Sequence, residues 1–139
     1  MAKFKLFTDG GSRGNPGPAA AGIILKNNKN EAIKSGGKYL GICTNNVAEY
    51  HALVLGLKTA IKLGIKKLEC YLDSELIVKQ LTGAYRVKDK NLKKFYDEIK
   101  ILEKHFDSAN SVEYRHIPRD QNEEADAIVN KVLDAATAK

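Results

Sequence analysis

The apolar pattern of the sequence first turns from strand-like to helical near Thr44, and this switch limits the folds open to the chain. Before it the pattern is that of strands. Phe4, Leu6 and Thr8 alternate with Lys5, Phe7 and Asp9; residues 19–25 form a buried apolar run, and residues 31–40 read as a third strand. The glycines and prolines of residues 10–18 predict a loop between the first two strands, with Asp9 closing the first. After the switch, Val47, Tyr50, Val54, Leu57 and Ile61 share one helical face, with Thr44 or Asn45 as cap and Gly64 as terminator. A strand at 68–72 leads into a helix opened by Ser74 and running through Leu81. Residues 83–90 are a polar connection. Leu92, Phe95, Tyr96, Ile99, Leu102 and Phe106 then repeat at helical spacing, residues 111–117 read as a strand, and 121–136 as a terminal helix. Three strands in succession predict an antiparallel meander, and strands separated by helices predict parallel pairing. The order βββαβααβα is that of an α/β protein: a mixed five-stranded sheet, first three strands antiparallel, fourth and fifth parallel to the first, flanked by helices.

With 139 residues and 15.3 kDa, one core is what the chain can bury, so residues 1–139 read as a single domain. Its longest apolar run, residues 19–25, is far too short to span a bilayer, and residues 1–5 lack the continuous apolar segment of a signal peptide. Cys43 and Cys70 have neither metal-binding nor disulfide-framework spacing, and two reduced thiols in a cytoplasmic protein are expected. A net charge of +6 favours a polyanionic partner, and with no spanning or signal segment no membrane partner is expected.

Four carboxylates run against that basic background. Asp9 and Asp73 end strands that the topology makes central neighbours, while Glu49 and Asp126 lie at the rims of apolar helix faces. Taken singly, each is an ordinary turn cap or helix-rim acid. Together at one sheet edge they would repel as bare anions, and hard divalent cations such as Mg²⁺ or Mn²⁺ relieve that repulsion. Paired cations of this kind form a known clamp for in-line phosphoryl displacement.

The residues Thr8-Asp9-Gly10-Gly11-Ser12-Arg13-Gly14-Asn15-Pro16-Gly17-Pro18, Thr44-Asn45-Asn46-Val47-Ala48-Glu49, Asp73-Ser74 and Asn122 to Asp126 resemble the motifs of the type 1 ribonuclease H family, in the family's order and across nearly the whole chain. The resemblance implies the ribonuclease H-like fold and endonucleolytic hydrolysis of the RNA strand of RNA–DNA hybrids, leaving 5′-phosphate and 3′-hydroxyl ends. It implies two Mg²⁺ per site, with Mn²⁺ as a substitute, held by Asp9, Glu49, Asp73 and Asp126. Asp9 would bridge the ions, Glu49 and Asp73 would stand nearer the leaving group, and Asp126 nearer the nucleophile. Gly10, Gly11, Asn15 and Asn45 resemble the family's minor-groove contacts, and Thr44 its DNA-phosphate contact; Ser74 is carried over as a further substrate contact. The partner is the hybrid duplex, and a monomer with no obligate protein partner is expected.

The chain departs from the family pattern in three places. The basic helix rich in Lys, Arg and Trp that many relatives carry is replaced by residues 83–90, and there is no Trp. Arg86, Lys88, Lys90, Lys93 and Lys94 are candidates for a reduced phosphate grip. The mobile histidine of many relatives has two counterparts: Arg119, favoured by aligning the last strand, with His116 as runner-up. Glu75 stands where some relatives have a neutral glutamine. A non-catalytic hybrid-binding module, or a DNA nuclease or strand-transfer catalyst on the same fold, are the competing functions.

Overall fold

The computed structural model describes residues 3–108 and 110–137. Five strands, β1 (Phe4–Ser12), β2 (Gly17–Lys26), β3 (Ala32–Cys43), β4 (Leu68–Leu72) and β5 (Val112–His116), form one sheet in the order β3-β2-β1-β4-β5. β1–β2 and β2–β3 are antiparallel; β1–β4 and β4–β5 are parallel, as the period pattern requires. Helices α1 (Asn45–Lys62), α2 (Glu75–Leu81) and α3 (Lys90–Glu103) cover the main core. Helix α4 (Glu123–Thr137) packs Val129 and Leu133 against Ala20 in a separate small cluster. Tyr50 Oη donates to Gln80 Oε1 at 2.6 Å in the interior, which ties α2 to α1.

Four boundaries correct the sequence reading. Residues 10–18 are not a loop throughout: β1 continues through Ser12, and Gly10, Gly11 and Ser12 pair with Ala21, Ala20 and Ala19. Asp9 is therefore inside β1, not at its end. What stops near Asp9 is the parallel ladder to β4, whose last pair is Phe7 with Tyr71. Glycine overrides its poor strand propensity here because it lets a helix approach. A Cβ on Gly10 would lie 2.2 Å from the backbone carbonyl of Ala48, inside α1. Likewise the third strand runs on to Cys43, and the terminal helix begins at Glu123 after a 3₁₀ turn at Arg119–Gln121. Helix α3 stops at Glu103, though Phe106 beyond it is still buried.

Candidate active site

Three elements meet where the β1–β4 ladder ends. β1 presents Asp9, the first turns of α1 present Glu49, and the residue after β4 presents Asp73. Carboxylate oxygens of these three lie within 4.8 Å of one another. Asp9 and Glu49 are only 7% and 8% exposed, so the charges are largely removed from water. Burial, then the Asp73 charge, then Asp126 raise the Asp9 carboxyl to about 8, with Glu49 pulling the other way. Glu49 is pushed well above the usual carboxylate range by burial, then by Asp9 and Asp73; the Gly10 N–H, which donates to its Oε1, opposes this.

Asp126 stands apart from that trio. It is half-buried at the start of α4, beside Asp9, and its backbone oxygen and Oδ2 both accept from Asn130 Nδ2 at 3.1 and 3.3 Å. The fold thus brings all four predicted acids to one edge, three as a tight group and the fourth beside Asp9. Such a group of hard oxygens, two of them nearly buried and mutually repelling, fits divalent cations of the Mg²⁺ class.

The acids open into a recess of about 330 Å³ that Gly11, Ser12, Asn45, Ser74 and Arg119 also line. Thr44 and Ser74 are N-caps: Thr44 Oγ1 accepts from Val47 N at 3.2 Å and Ser74 Oγ from Ile77 N at 3.4 Å. Each keeps its O–H for another acceptor. Asn15 Oδ1 accepts from Asn45 N at 3.0 Å, and Asn45 Oδ1 accepts from Ser12 N at 2.9 Å. These bonds fix both exposed amides with the carbonyl turned inward and the NH₂ left to donate. Asn15 and Thr44 border a second recess of about 210 Å³ together with Asn46 and Asn91. The two glycines differ. Gly10 is required by packing, whereas a Cβ on Gly11 would sit in ordinary contact, 3.7 Å from Val129.

Arg119 opens the 3₁₀ turn at the rim of the acidic recess, while exposed His116 ends β5 opposite Leu72 and is not among the residues lining that recess. Glu75 is the exposed first residue of α2. Two residues at the site escaped the sequence reading as individuals. Asn122 is 2% exposed and donates to Asp73, and Asn130 holds Asp126. Asn122 was visible only as the start of a motif; nothing local marks either amide as belonging to the site.

Comparison with known proteins agrees with this geometry. A family model described as reverse transcriptase-like matches residues 7–132. The crystal structure of RNase H1 from Halobacterium salinarum superposes with a TM-score of 0.91 at 40% identity, covering 96% of this chain and 98% of that one. The chain belongs to the ribonuclease HI family. Members of this family are metal-dependent nucleases. Ribonuclease HI of Halobacterium salinarum is 42% identical over 134 residues, 96% of this chain and 66% of the relative. A bifunctional protein of Mycobacterium tuberculosis is 39% identical over 96% of this chain, and the chain spans 36% of its length. LC11-RNase H1, solved in complex with an RNA/DNA hybrid, superposes with a TM-score of 0.92 at 37% identity, covering 97% of this chain and 99% of that one. The ribonuclease HI sheet order, β3-β2-β1-β4-β5 with β1, β4 and β5 parallel, is that of these neighbours.

Proposed function

We propose that the protein is an endonuclease that hydrolyses the RNA strand of RNA–DNA hybrids, leaving 5′-phosphate and 3′-hydroxyl ends. The observation that carries this reading is the Asp9–Glu49–Asp73 group, two of its members nearly buried, opening into a recess on a chain of net charge +6. The hybrid-bound structure of the neighbour LC11-RNase H1 supports the choice of substrate. Asp9, Glu49, Asp73 and Asp126 would hold two Mg²⁺ ions. When bound, such ions lower the pKa of water and offset the charge on a leaving oxygen.

The remaining work falls to the chain's own groups. Asn15 and Asn45 keep exposed amide donors free, suited to the minor-groove face of a hybrid and its 2′-hydroxyls. Thr44 and Ser74 offer hydroxyl donors to phosphate oxygens at helix N-termini, where anions are favoured. Arg119, at the rim, neutralises charge on the scissile phosphate or the product; a guanidinium, unlike an imidazole, is no proton shuttle. The exposed stretch Arg86, Lys88, Lys90, Lys93 and Lys94 grips more distant phosphates in place of a basic helix, and the protein acts as a monomer.

Cleavage of an end-labelled hybrid in Mg²⁺, Mn²⁺ or EDTA tests the proposal, with duplex DNA, duplex RNA and Asp73→Asn protein beside it. Metal-dependent cutting of the hybrid's RNA strand alone, lost in Asp73→Asn, is the expected result. Tight hybrid binding without cutting, or cutting of duplex DNA, would overturn it.

A further inference from the structure

Asn122 is a polar side chain in an expensive place. It is 2% exposed and among the largest fully buried side chains. Its Nδ2 donates twice, to the Thr8 carbonyl at 2.8 Å and to Asp73 Oδ2 at 2.9 Å. Its Oδ1 is buried with no hydrogen-bond partner among the described residues. A buried carbonyl without a partner is destabilising, and native interiors rarely keep one without a reason. Turning the amide over would not help, because Oδ1 would then face two acceptors. An apolar side chain of the same size would remove the orphaned oxygen but also take the donor from Thr8 and Asp73. The amide is kept for what its NH₂ does.

The NH₂ joins two of the segments that carry the acids, and the Asn122 backbone reaches a third. Thr8 precedes Asp9 on β1, beyond the point where the ladder to β4 has stopped at Phe7 and Tyr71. Asp73 follows β4. The backbone carbonyl of Asn122 accepts from Asp126 N at 3.1 Å, which starts the helical turn that carries Asp126. One residue therefore touches the β1 backbone, the Asp73 carboxylate and the Asp126 backbone.

We propose that Asn122 is a positioning residue of the acidic site: it fixes the rotation of the Asp73 carboxylate, leaving the other oxygen for a cation, and sets Asp73 and Asp126 relative to Asp9. The proposal rests on the reading that this group binds divalent cations. A hydrogen-bonding partner behind a metal-ligating carboxylate contributes on the order of 10–100-fold in metal affinity.

The test uses Asn122→Leu, which preserves volume and discards both the donor and the orphaned carbonyl. Three quantities are read on the full chain: Tm in EDTA, Mn²⁺ affinity by calorimetry without nucleic acid, and kcat and KM on a hybrid. The expected result is a Tm in EDTA close to wild type, Mn²⁺ affinity weakened about tenfold or more, and lower kcat at unchanged KM that partly recovers with added metal. Unchanged Mn²⁺ affinity overturns the proposal, as does a fall in Tm with affinity intact. Should Asn122→Leu fail to fold, Asn122→Ser keeps one donor and decides: weakened affinity in a folded protein supports the role, and wild-type affinity refutes it. Loss of folding in both variants assigns Asn122 to the fold alone and overturns the proposal. Failure of the functional reading looks different: wild-type protein then binds Mn²⁺ but leaves the hybrid uncut, whatever Asn122 does.

Discussion

The acidic recess and the stretch between α2 and α3 carry opposite charge in opposite surroundings. In the recess, anions are forced together with little water, held by Gly10 N–H, Asn122 and Asn130. Around Tyr85 and Tyr96 the cations are exposed or half-buried and lie over aromatic rings. Lys79 lies over the Tyr85 ring at 5.1 Å, and Lys93 and Lys100 lie over Tyr96 at 5.2 and 5.3 Å. Lys93 also pairs with Asp97 at 2.6 Å, a half-exposed contact of small worth. Burial turns a few charges into a site that must be compensated, whereas exposure leaves many charges as a screened, additive grip. One region should fail abruptly under single substitutions and the other by degrees.

Asp9→Asn breaks the comparison at its sharpest point. Hybrid cleavage is expected to fall by about 10³-fold or more, the scale of losing a preorganised charge-stabilising group. Stability should move the other way. The unfolded Asp9 carboxyl ionises near 3.8 and the folded one at about 8, so the native state binds more protons between these values. Stability of the metal-free protein therefore falls as pH rises through that window, and Asn removes this slope. Melting in EDTA across pH 4–9 checks it: Asp9→Asn should have the higher Tm at pH 7, and equal or lower Tm would refute the repulsion argument.

Gly10→Ala comes next. Its Cβ would collide with the Ala48 carbonyl, and overpacking of that kind costs on the order of 3 kcal/mol. Urea unfolding should show the loss, while Gly11→Ala, with only a 3.7 Å contact, should stay near wild type in stability.

Arg119→Ala should lower kcat by roughly 10–100-fold with little change in Tm, and His116→Ala by no more than about twofold. Steady-state kinetics on a hybrid with saturating Mg²⁺ separates them, and a large loss only in His116→Ala would reverse the assignment.

The smallest effect is expected where charges are exposed. Replacing Lys88 and Lys90 with Gln should raise KM a few-fold at constant kcat and reduce the salt slope of binding by about 2. Unchanged salt dependence would show these lysines to be ordinary solvated surface.

What the sequence revealed followed the range over which its causes act. The strand at 68–72, the Ser74 cap and the helix through Leu81 were legible because local pattern and capping decide them. The four acids were legible through motifs and through the charge anomaly they create. The extension of β1 through Ser12 was not, because Gly10 and Gly11 are poor strand formers and are held by pairing with Ala21 and Ala20 and by α1 and α4. Asn122 was hidden for the same reason in stronger form. Its meaning depends on oxygens 114 and 49 residues away in the chain, and an asparagine before a helix looks like any cap.

The parallel pairing of β1 with β4 also has a kinetic meaning. The β1–β2–β3 meander can assemble from neighbouring segments, but β1 and β4 meet only after the whole α1 crossover has closed, and long-range closures come late and slowly. Asp9 and Asp73 belong to that late contact, and Asn122 locks it from near the chain's far end. Acquisition of cation affinity during refolding should therefore trail the formation of the hairpins and report on completion of the sheet.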